Sequence, residues 1–436
     1  MNELINCTVC EEKLIKPTLM DKQDICTAFV CLDSENCFKK LIYDRKQIIA
    51  GQNITSQYSY IKININNIKM NTNITSPFET LTPLPASLSL SQCVTHKHEI
   101  IICGGASKGD CYSYHIKKNL YKRICQYPKD IRLNGHCVVK RVNKDDPNDV
   151  LLLSFGGAIK HTLMMKYVSV WNNIDEDKIQ IAEQTHYNEW IPFTDKHNDL
   201  ICIGRDQDDY WGVRAVIGGR NNHLLFITYR PNNIDIFNLD TLQFIKRDNL
   251  PTDATIRCHC FVSKIWDEAA IAKQIENKKM NEMILFCDKI GFSIKHNEDS
   301  NIFQFHKLHV CTTMRSFNRY AYIYVNDCIL FFGGWNGRHN TEKIVLKDVH
   351  KYSTKEDKWT MFEHNLPVAL CGSVAILSED KTLVYVLGGN DGKNALSTNM
   401  RAKIENWTEE TEKEKKWIKG EEEKKLLAEL KKSLVT

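Results

Sequence analysis

The chain has 436 residues and a net charge of +4, from 58 basic and 54 acidic side chains. Apolar residues make up 42% and charged residues 26%, which is typical of a folded globular protein. So small a net charge argues against nucleic acid or an acidic membrane as the partner, and no apolar run is long enough to span a bilayer.

The cysteines and the first residues of the chain indicate in which cellular compartment the protein is expected. The 17 cysteines are too dilute for a disulfide scaffold. Several of them, such as Cys103 and Cys287, stand within apolar segments, where cysteine behaves as a small hydrophobic residue. The first residues lack the basic and apolar stretches of a secretory signal peptide. We therefore expect reduced thiols and a cytoplasmic location.

Double glycines are the strongest repeated signal. A short apolar segment runs into two glycines at four places: Gly104-Gly105, Gly156-Gly157, Gly333-Gly334 and Gly388-Gly389. Two of the intervals are 52 and 55 residues. A period near 50 built from short strands predicts an all-β propeller. A fifth pair, Gly218-Gly219, precedes an apolar segment instead, so we expect it in a turn within a blade.

The strand pattern predicts six blades. Each blade has four antiparallel strands, named A to D from the central channel outward. In blade two we expect strand C at residues 166–171. Blade six has no D strand of its own, but residues 78–84 show the aromatic-to-proline pattern of the other D strands. We predict that this N-terminal segment closes the ring, because closure protects an edge strand.

These residues resemble the kelch-repeat family of β-propellers. The family motif is four apolar residues, two glycines, and then a Tyr and a Trp at fixed distances. Blade five matches it best, with Gly333-Gly334, Tyr352 and Trp359. Blade one has Tyr121 where the family has the Trp. The resemblance covers roughly residues 77–404, and the motif residues are expected to be scaffold, because large aromatic rings fill the wedge between blades.

Four regions are predicted in all. They are a cysteine-containing extension (1–63), an Asn- and Ile-rich linker (64–76), the propeller (77–404) and a charged helical tail (405–436). In the tail, Leu427, Leu430 and Leu434 form an apolar stripe, and Gly420 is a potential break in the helix. The tail either packs on the propeller, mediates self-association or stays solvated.

The N-terminal extension contains a candidate metal site. Two thiols two residues apart, followed by a second group, fit a tetrahedral zinc site formed by Cys7, Cys10, Cys26 and Cys31. Free thiols in a strand-rich extension are the alternative. No cofactor other than this structural zinc is expected.

Loops on one face of the propeller carry the candidate binding residues. In antiparallel blades the B–C and D–A connections emerge on the same face. The candidates for partner contact on that face are Asp206, Asp208, Asp209, Trp211, Trp335, Asn336, Arg338, His339, Asn390 and Asp391. Ordinary solvated loops are the alternative.

Two functions fit this pattern. The favoured hypothesis is a non-catalytic module that binds a partner protein or peptide on the loop face. The alternative is a propeller enzyme similar to galactose oxidase, with a metal site at the mouth of the channel. That class needs tyrosines and histidines that converge on a metal, whereas the 15 His and 16 Tyr of this chain are scattered.

Overall fold

The computed structural model describes residues 4–6, 13–15, 76–142, 146, 148–171, 186–264, 280–337 and 344–433. The chain divides into two compact units, Met1–Ile74 and Thr75–Thr436. In the first unit, strand β1 (Leu4–Asn6) pairs antiparallel with β2 (Lys13–Ile15). The four cysteines of the zinc hypothesis lie outside the described residues, so that hypothesis stays a prediction.

The described residues of the second unit form six four-stranded antiparallel sheets and one α-helix. Its strands, in chain order, are β3 (Glu79–Thr80), β4 (Gln92–His96), β5 (Glu99–Gly105), β6 (Lys108–His115), β7 (Leu120–Gln126), β8 (His136–Val142), β9 (Val150–Gly156), β10 (Thr162–Tyr167), β11 (Ile191–Pro192), β12 (Asp209–Gly218), β13 (Leu224–Arg230), β14 (Asn233–Asn238), β15 (Gln243–Asn249), β16 (Cys260–Ser263), β17 (Met280–Cys287), β18 (Ile290–Asn297), β19 (Ile302–Lys307), β20 (Ala321–Val325), β21 (Cys328–Phe332), β22 (Val349–Ser353), β23 (Lys358–Met361), β24 (Val374–Leu377), β25 (Leu383–Leu387) and β26 (Asn399–Lys403).

The sheets form a closed ring. Five sheets use consecutive strands, β4–β7, β8–β11, β12–β15, β16–β19 and β20–β23, and the sixth has the order β24-β25-β26-β3. The innermost strands contact one another in sequence around the ring: β4 with β8, β8 with β12, β12 with β16, β16 with β20, β20 with β24, and β24 with β4. The predicted six-bladed propeller is confirmed.

The N-terminal closure of the ring is also confirmed. Strand β3 pairs with β26, with Thr80 opposite Met400 and Glu79 opposite Arg401. The Arg401 guanidinium donates to both carboxylate oxygens of Glu79, at 2.8 and 3.1 Å. Residue Phe78, just before β3, is buried in the hydrophobic core that it shares with blades five and six.

The double glycines are needed where one blade meets the next. Gly333 and Gly388 have φ of 66° and 61°, a region that L side chains rarely adopt. A Cβ on Gly333 would lie 2.1 Å from the carbonyl oxygen of Leu370, and one on Gly388 would lie 2.5 Å from that of Leu88. Both oxygens belong to the connection that enters the following blade, so these glycines allow adjacent blades to touch.

The motif aromatics fill a gap between two blades. Tyr352 and Trp359 are opposite each other on β22 and β23, with ring centroids 5.1 Å apart. Their centroids lie 4.8 and 5.0 Å from that of Phe286 in blade four. Both side chains are buried, as expected of scaffold residues.

Two details differ from the sequence predictions. Strand C of blade two is Thr162–Tyr167 rather than 166–171, because a tight turn, closed by a hydrogen bond from Gly156 N–H to the His161 carbonyl, starts it early. The Gly218-Gly219 pair does lie at the A–B turn, as predicted, with Gly218 as the last residue of β12 and Gly219 in the turn to β13. The helix α1 (Glu412–Ser433) continues through Gly420, which therefore does not break it.

The helix α1 is docked on blade five. Its first turn has a capping box: Thr411 Oγ1 accepts from Glu414 N–H, and the Glu414 carboxylate accepts from Thr411 N–H. Further along, the buried Glu421 accepts hydrogen bonds from the N–H and hydroxyl of Thr312. No helix among the described residues is both long and apolar enough to cross a membrane.

Candidate binding site at the mouth of the central channel

Six residues with positive φ surround the mouth of the channel, one at the start of each blade. They are Leu90 (54°), Gly135 (78°), Gly212 (78°), Cys258 (45°), Arg319 (55°) and Gly372 (62°). Three of these residues carry side chains in the left-handed conformation, which costs about 1–2 kcal/mol for each residue. Such strain persists where the surrounding structure enforces it, and it is common at functional sites.

Backbone hydrogen bonds link these six residues into an almost complete ring. Five of the six N–H groups donate to the carbonyl oxygen of the residue at the same position in the preceding blade. The N–O distances are 2.7 Å (Leu90 to Gly372), 2.6 Å (Gly372 to Arg319), 3.2 Å (Arg319 to Cys258), 2.9 Å (Cys258 to Gly212) and 2.9 Å (Gly212 to Gly135). Among the described residues, the sixth link, from Gly135 to Leu90, is missing. The ring holds the six blade starts in register and is open between blades one and two.

Two cavities lie along the channel. The outer one has a volume of about 510 Å³ and is lined by loop residues that include Lys108, Asn134 and Asn390. The inner one, of about 440 Å³, is lined by the innermost strands. Arg319 lines both cavities, as do Leu90 and Gly372, so this level of the backbone ring borders the outer and the inner cavity.

Arginine and tryptophan side chains meet beside the outer cavity. The guanidinium carbons of Arg230, Arg257 and Arg319 lie 5.6, 5.8 and 5.4 Å from the ring centroid of Trp211. Arg319 also lies 4.4 Å from the ring centroid of Trp335. These are cation–π distances, so the aromatic faces hold the guanidinium groups in place.

The charge of this region is positive. The charged residues that line the two cavities are Lys108, Lys140, Arg214 and Arg319, and within the described part of the chain the lining includes no Asp or Glu. Burial lowers the pKa of Lys140, although Glu379 opposes this. Beside Trp211, Arg230 is paired with Asp209 at 2.6 Å.

Comparison with known proteins identifies the fold but no family. No protein-family model matches the chain, and no curated protein matches it. Among solved structures, 805 chains are similar. One of them, described as "Structure of YjhT", is 12% identical, has a TM-score of 0.50, and the match covers 74% of this chain and 96% of that one. At this identity the similarity shows the fold alone.

Several of the predicted binding residues lie at the mouth. Trp211 and Trp335 are brought together by Arg319, although they are far apart in sequence. Asp209 and Trp211 lie at the start of β12. The prediction had placed them in the D–A loop that precedes this strand. Asn390 lines the outer cavity. Asn336, next to Trp335, is buried.

The other predicted residues have local roles or fall outside the description. Asp208 is buried and forms an ion pair with Arg205. The carbonyl of Asp206 accepts from Lys160. Asp391 accepts from two backbone N–H groups of its own turn, which lower its pKa. Arg338 and His339 lie outside the described residues.

Sequence reasoning missed the arginines at the mouth. Arg319 takes the left-handed position that is glycine in three other blades, and Arg257 precedes the equivalent Cys258 of blade four, just as Trp211 precedes Gly212. An alignment of the six blade starts would have placed these residues at the same level of the channel. Separately, the described residues contain no group of three or more His, Cys, Asp or Glu side chains that could hold a metal ion.

Proposed function

We propose that this chain is a kelch-type propeller that acts as a non-catalytic binding module, with a partner protein or peptide held at the mouth of its channel. The main support is the meeting of Trp211, Trp335 and Arg319 beside a cavity of about 510 Å³. Interface hot spots are rich in Trp and Arg, because these side chains bury a large area and donate fixed hydrogen bonds.

The kelch assignment is supported by where the motif residues lie. Gly333 provides the close approach between blades five and six, and Tyr352 and Trp359 fill the space against blade four. This is the division of roles that the motif implies. The proposed compartment is the cytoplasm, since every cysteine among the described residues is a free thiol.

The test is partner capture with a matched pair of tryptophan variants. Trp211→Ala removes the aromatic face at the mouth. Trp171→Ala is the control, because Trp171 is also half-buried and also faces two cations, Lys118 and Lys122, but lies beyond the end of β10 that points away from the mouth.

Tagged wild-type and variant proteins would be incubated with cell extract, and the bound proteins identified by mass spectrometry after thermal unfolding has shown that both variants fold. We expect Trp211→Ala to lose partners that Trp171→Ala keeps. The same set of partners on all three proteins would refute binding at the mouth.

A further inference from the structure

The channel lining is a cationic surface in which the described residues include no carboxylate. Lys108, Lys140, Arg214 and Arg319 line the two cavities. A cavity with low-dielectric walls concentrates the field of such charges. An occupant with negative charge would therefore be favoured over a neutral one of the same shape.

The fold explains the backbone conformation of Arg319 but not the presence of an arginine at a position where glycine would be unstrained. Its backbone is left-handed, at φ 55°, in a ring position where three other blades have glycine. Its Nε is buried and has no hydrogen-bond partner, and its guanidinium stacks on Trp335. A buried donor without an acceptor is costly, so an acceptor supplied by a ligand would satisfy it.

A second cation faces the same Trp211 ring as Arg319, and a second unsatisfied group lines the outer cavity. Arg257 faces the same Trp211 ring, and the structure shows no ion pair for it within the described part of the chain. Asn134 lines the outer cavity next to the break in the backbone ring, and its Oδ1 is buried without a partner. The mouth thus offers guanidinium donors together with an amide that can orient a peptide.

We propose that the partner segment is an acidic peptide, with a side-chain carboxylate that accepts hydrogen bonds from Arg319 and Arg257 while Trp211 and Trp335 support the two guanidinium groups. This inference rests on the proposed function and specifies the chemistry of the partner. Guanidinium binds carboxylate through two parallel N–H···O bonds, which are stronger than neutral hydrogen bonds.

The direct test uses two fluorescein-labelled peptides of equal length, one with a run of glutamates and one with glutamines at the same positions. Fluorescence anisotropy would measure the binding of each to the full chain. We expect the glutamate peptide to bind at least about tenfold more tightly than the glutamine peptide, and this preference to shrink between about 50 mM and about 300 mM salt.

Arg319→Gly separates binding from folding. Glycine adopts the left-handed conformation without strain, so the variant should be as stable as the wild type or more stable. It should nevertheless weaken binding of the glutamate peptide about tenfold or more. Arg123→Gln, on an outer strand and 54% exposed, is the control and should leave binding unchanged.

Failure of this inference can be told apart from failure of the proposed function. Equal binding of the two peptides, no binding of either, or full binding by Arg319→Gly would each overturn the acidic-peptide proposal. If Trp211→Ala still lost partners from cell extract, a binding site at the mouth would stand with a different ligand chemistry. If it did not, both proposals would fall.

Discussion

The backbone N–H of Arg319 donates to the carbonyl oxygen of Cys258, 3.2 Å away, and both residues are left-handed, with φ of 55° and 45°. The bond joins the start of blade five to the start of blade four. It is one of five such links around the channel mouth. The side chains that follow or precede these positions are thereby held at one level around the channel axis, where a ligand would meet them together.

Because Gly212 belongs to the ring of backbone hydrogen bonds at the channel mouth, we expect Gly212→Ala to be strongly destabilising. A Cβ there would lie 2.8 Å from the Cys258 N and 2.9 Å from its Sγ, on a backbone with φ of 78°. Strain and overpacking together should lower the free energy of unfolding by about 2–4 kcal/mol. Urea unfolding followed by tryptophan fluorescence would measure it.

The matched glycine control is Gly420→Ala in α1. Apart from its chain neighbours and the backbone of its own helix, no atom lies within 4 Å of a Cβ built there. Alanine should therefore stabilise the protein by about 0.5–1 kcal/mol. If Gly212→Ala and Gly420→Ala changed the free energy of unfolding to a similar extent, the close contacts assigned to Gly212 in the backbone ring would be contradicted.

Phe78→Ala tests the closure of the propeller. Phe78 is 8% exposed, and its ring centroid lies 6.0 Å from that of Phe332 and 5.7 Å from that of Trp407. Truncation in such a core should cost about 3–5 kcal/mol. Differential scanning calorimetry should show a lower Tm. Glu79→Gln, at an exposed ion pair on the same short strand, should cost less than about 1 kcal/mol.

Glu421 should make the stability sensitive to acid. Burial opposes its ionised form, but the His309 ring nitrogen, 3.7 Å away, and the hydrogen bonds from Thr312 outweigh burial and lower the pKa to about 2. Since the folded pKa lies below the ordinary value of 4.5, its stabilisation is present above pH 4.5 and is lost as the pH falls toward 2.

Glu421→Gln should therefore cost on the order of 2 kcal/mol at pH 7 and much less near pH 3. Chemical unfolding at both pH values would measure the difference. Glu412→Gln is the control, because that side chain is 90% exposed. If the difference in free energy of unfolding between wild type and Glu421→Gln were the same at pH 7 and near pH 3, the lowered pKa of Glu421 would be refuted.

Asp235 has the opposite pH behaviour. Burial raises its pKa to about 6, although the Tyr229 hydroxyl donates to it and Arg247 lies 3.8 Å away. A raised pKa in a carboxyl group means that stability falls as the pH rises from about 4 to above 6.

Asp235→Asn removes this penalty and keeps an oxygen that accepts from Tyr229. We expect it to raise the free energy of unfolding by on the order of 1 kcal/mol at pH 7.5 and to have no benefit at pH 4. Urea unfolding at the two pH values is the measurement. A loss of stability at pH 7.5 would show that the Arg247 interaction outweighs the burial of the charge.

Local sequence determined much of the fold. The double glycines recur in blades one, two, five and six, and the aromatic-to-proline pattern recurs in blades one, three and five and in residues 78–84. Together these repeats made the blade number and the closing role of residues 78–84 predictable. This was possible because strand formation and tight turns depend on neighbouring residues. Strand C of blade two was misplaced, because the length of a turn is decided by the hydrogen bonds that close it.

The binding site was decided by the tertiary structure. Trp211, Arg257, Arg319 and Trp335 come from blades three, four and five, and only closure of the ring brings them into contact with one another. No local pattern marks Arg319 as left-handed, because its conformation is enforced by backbone bonds to Cys258 and Gly372. The sequence by itself determined the blades, and the ring that joins them determined which side chains share the mouth.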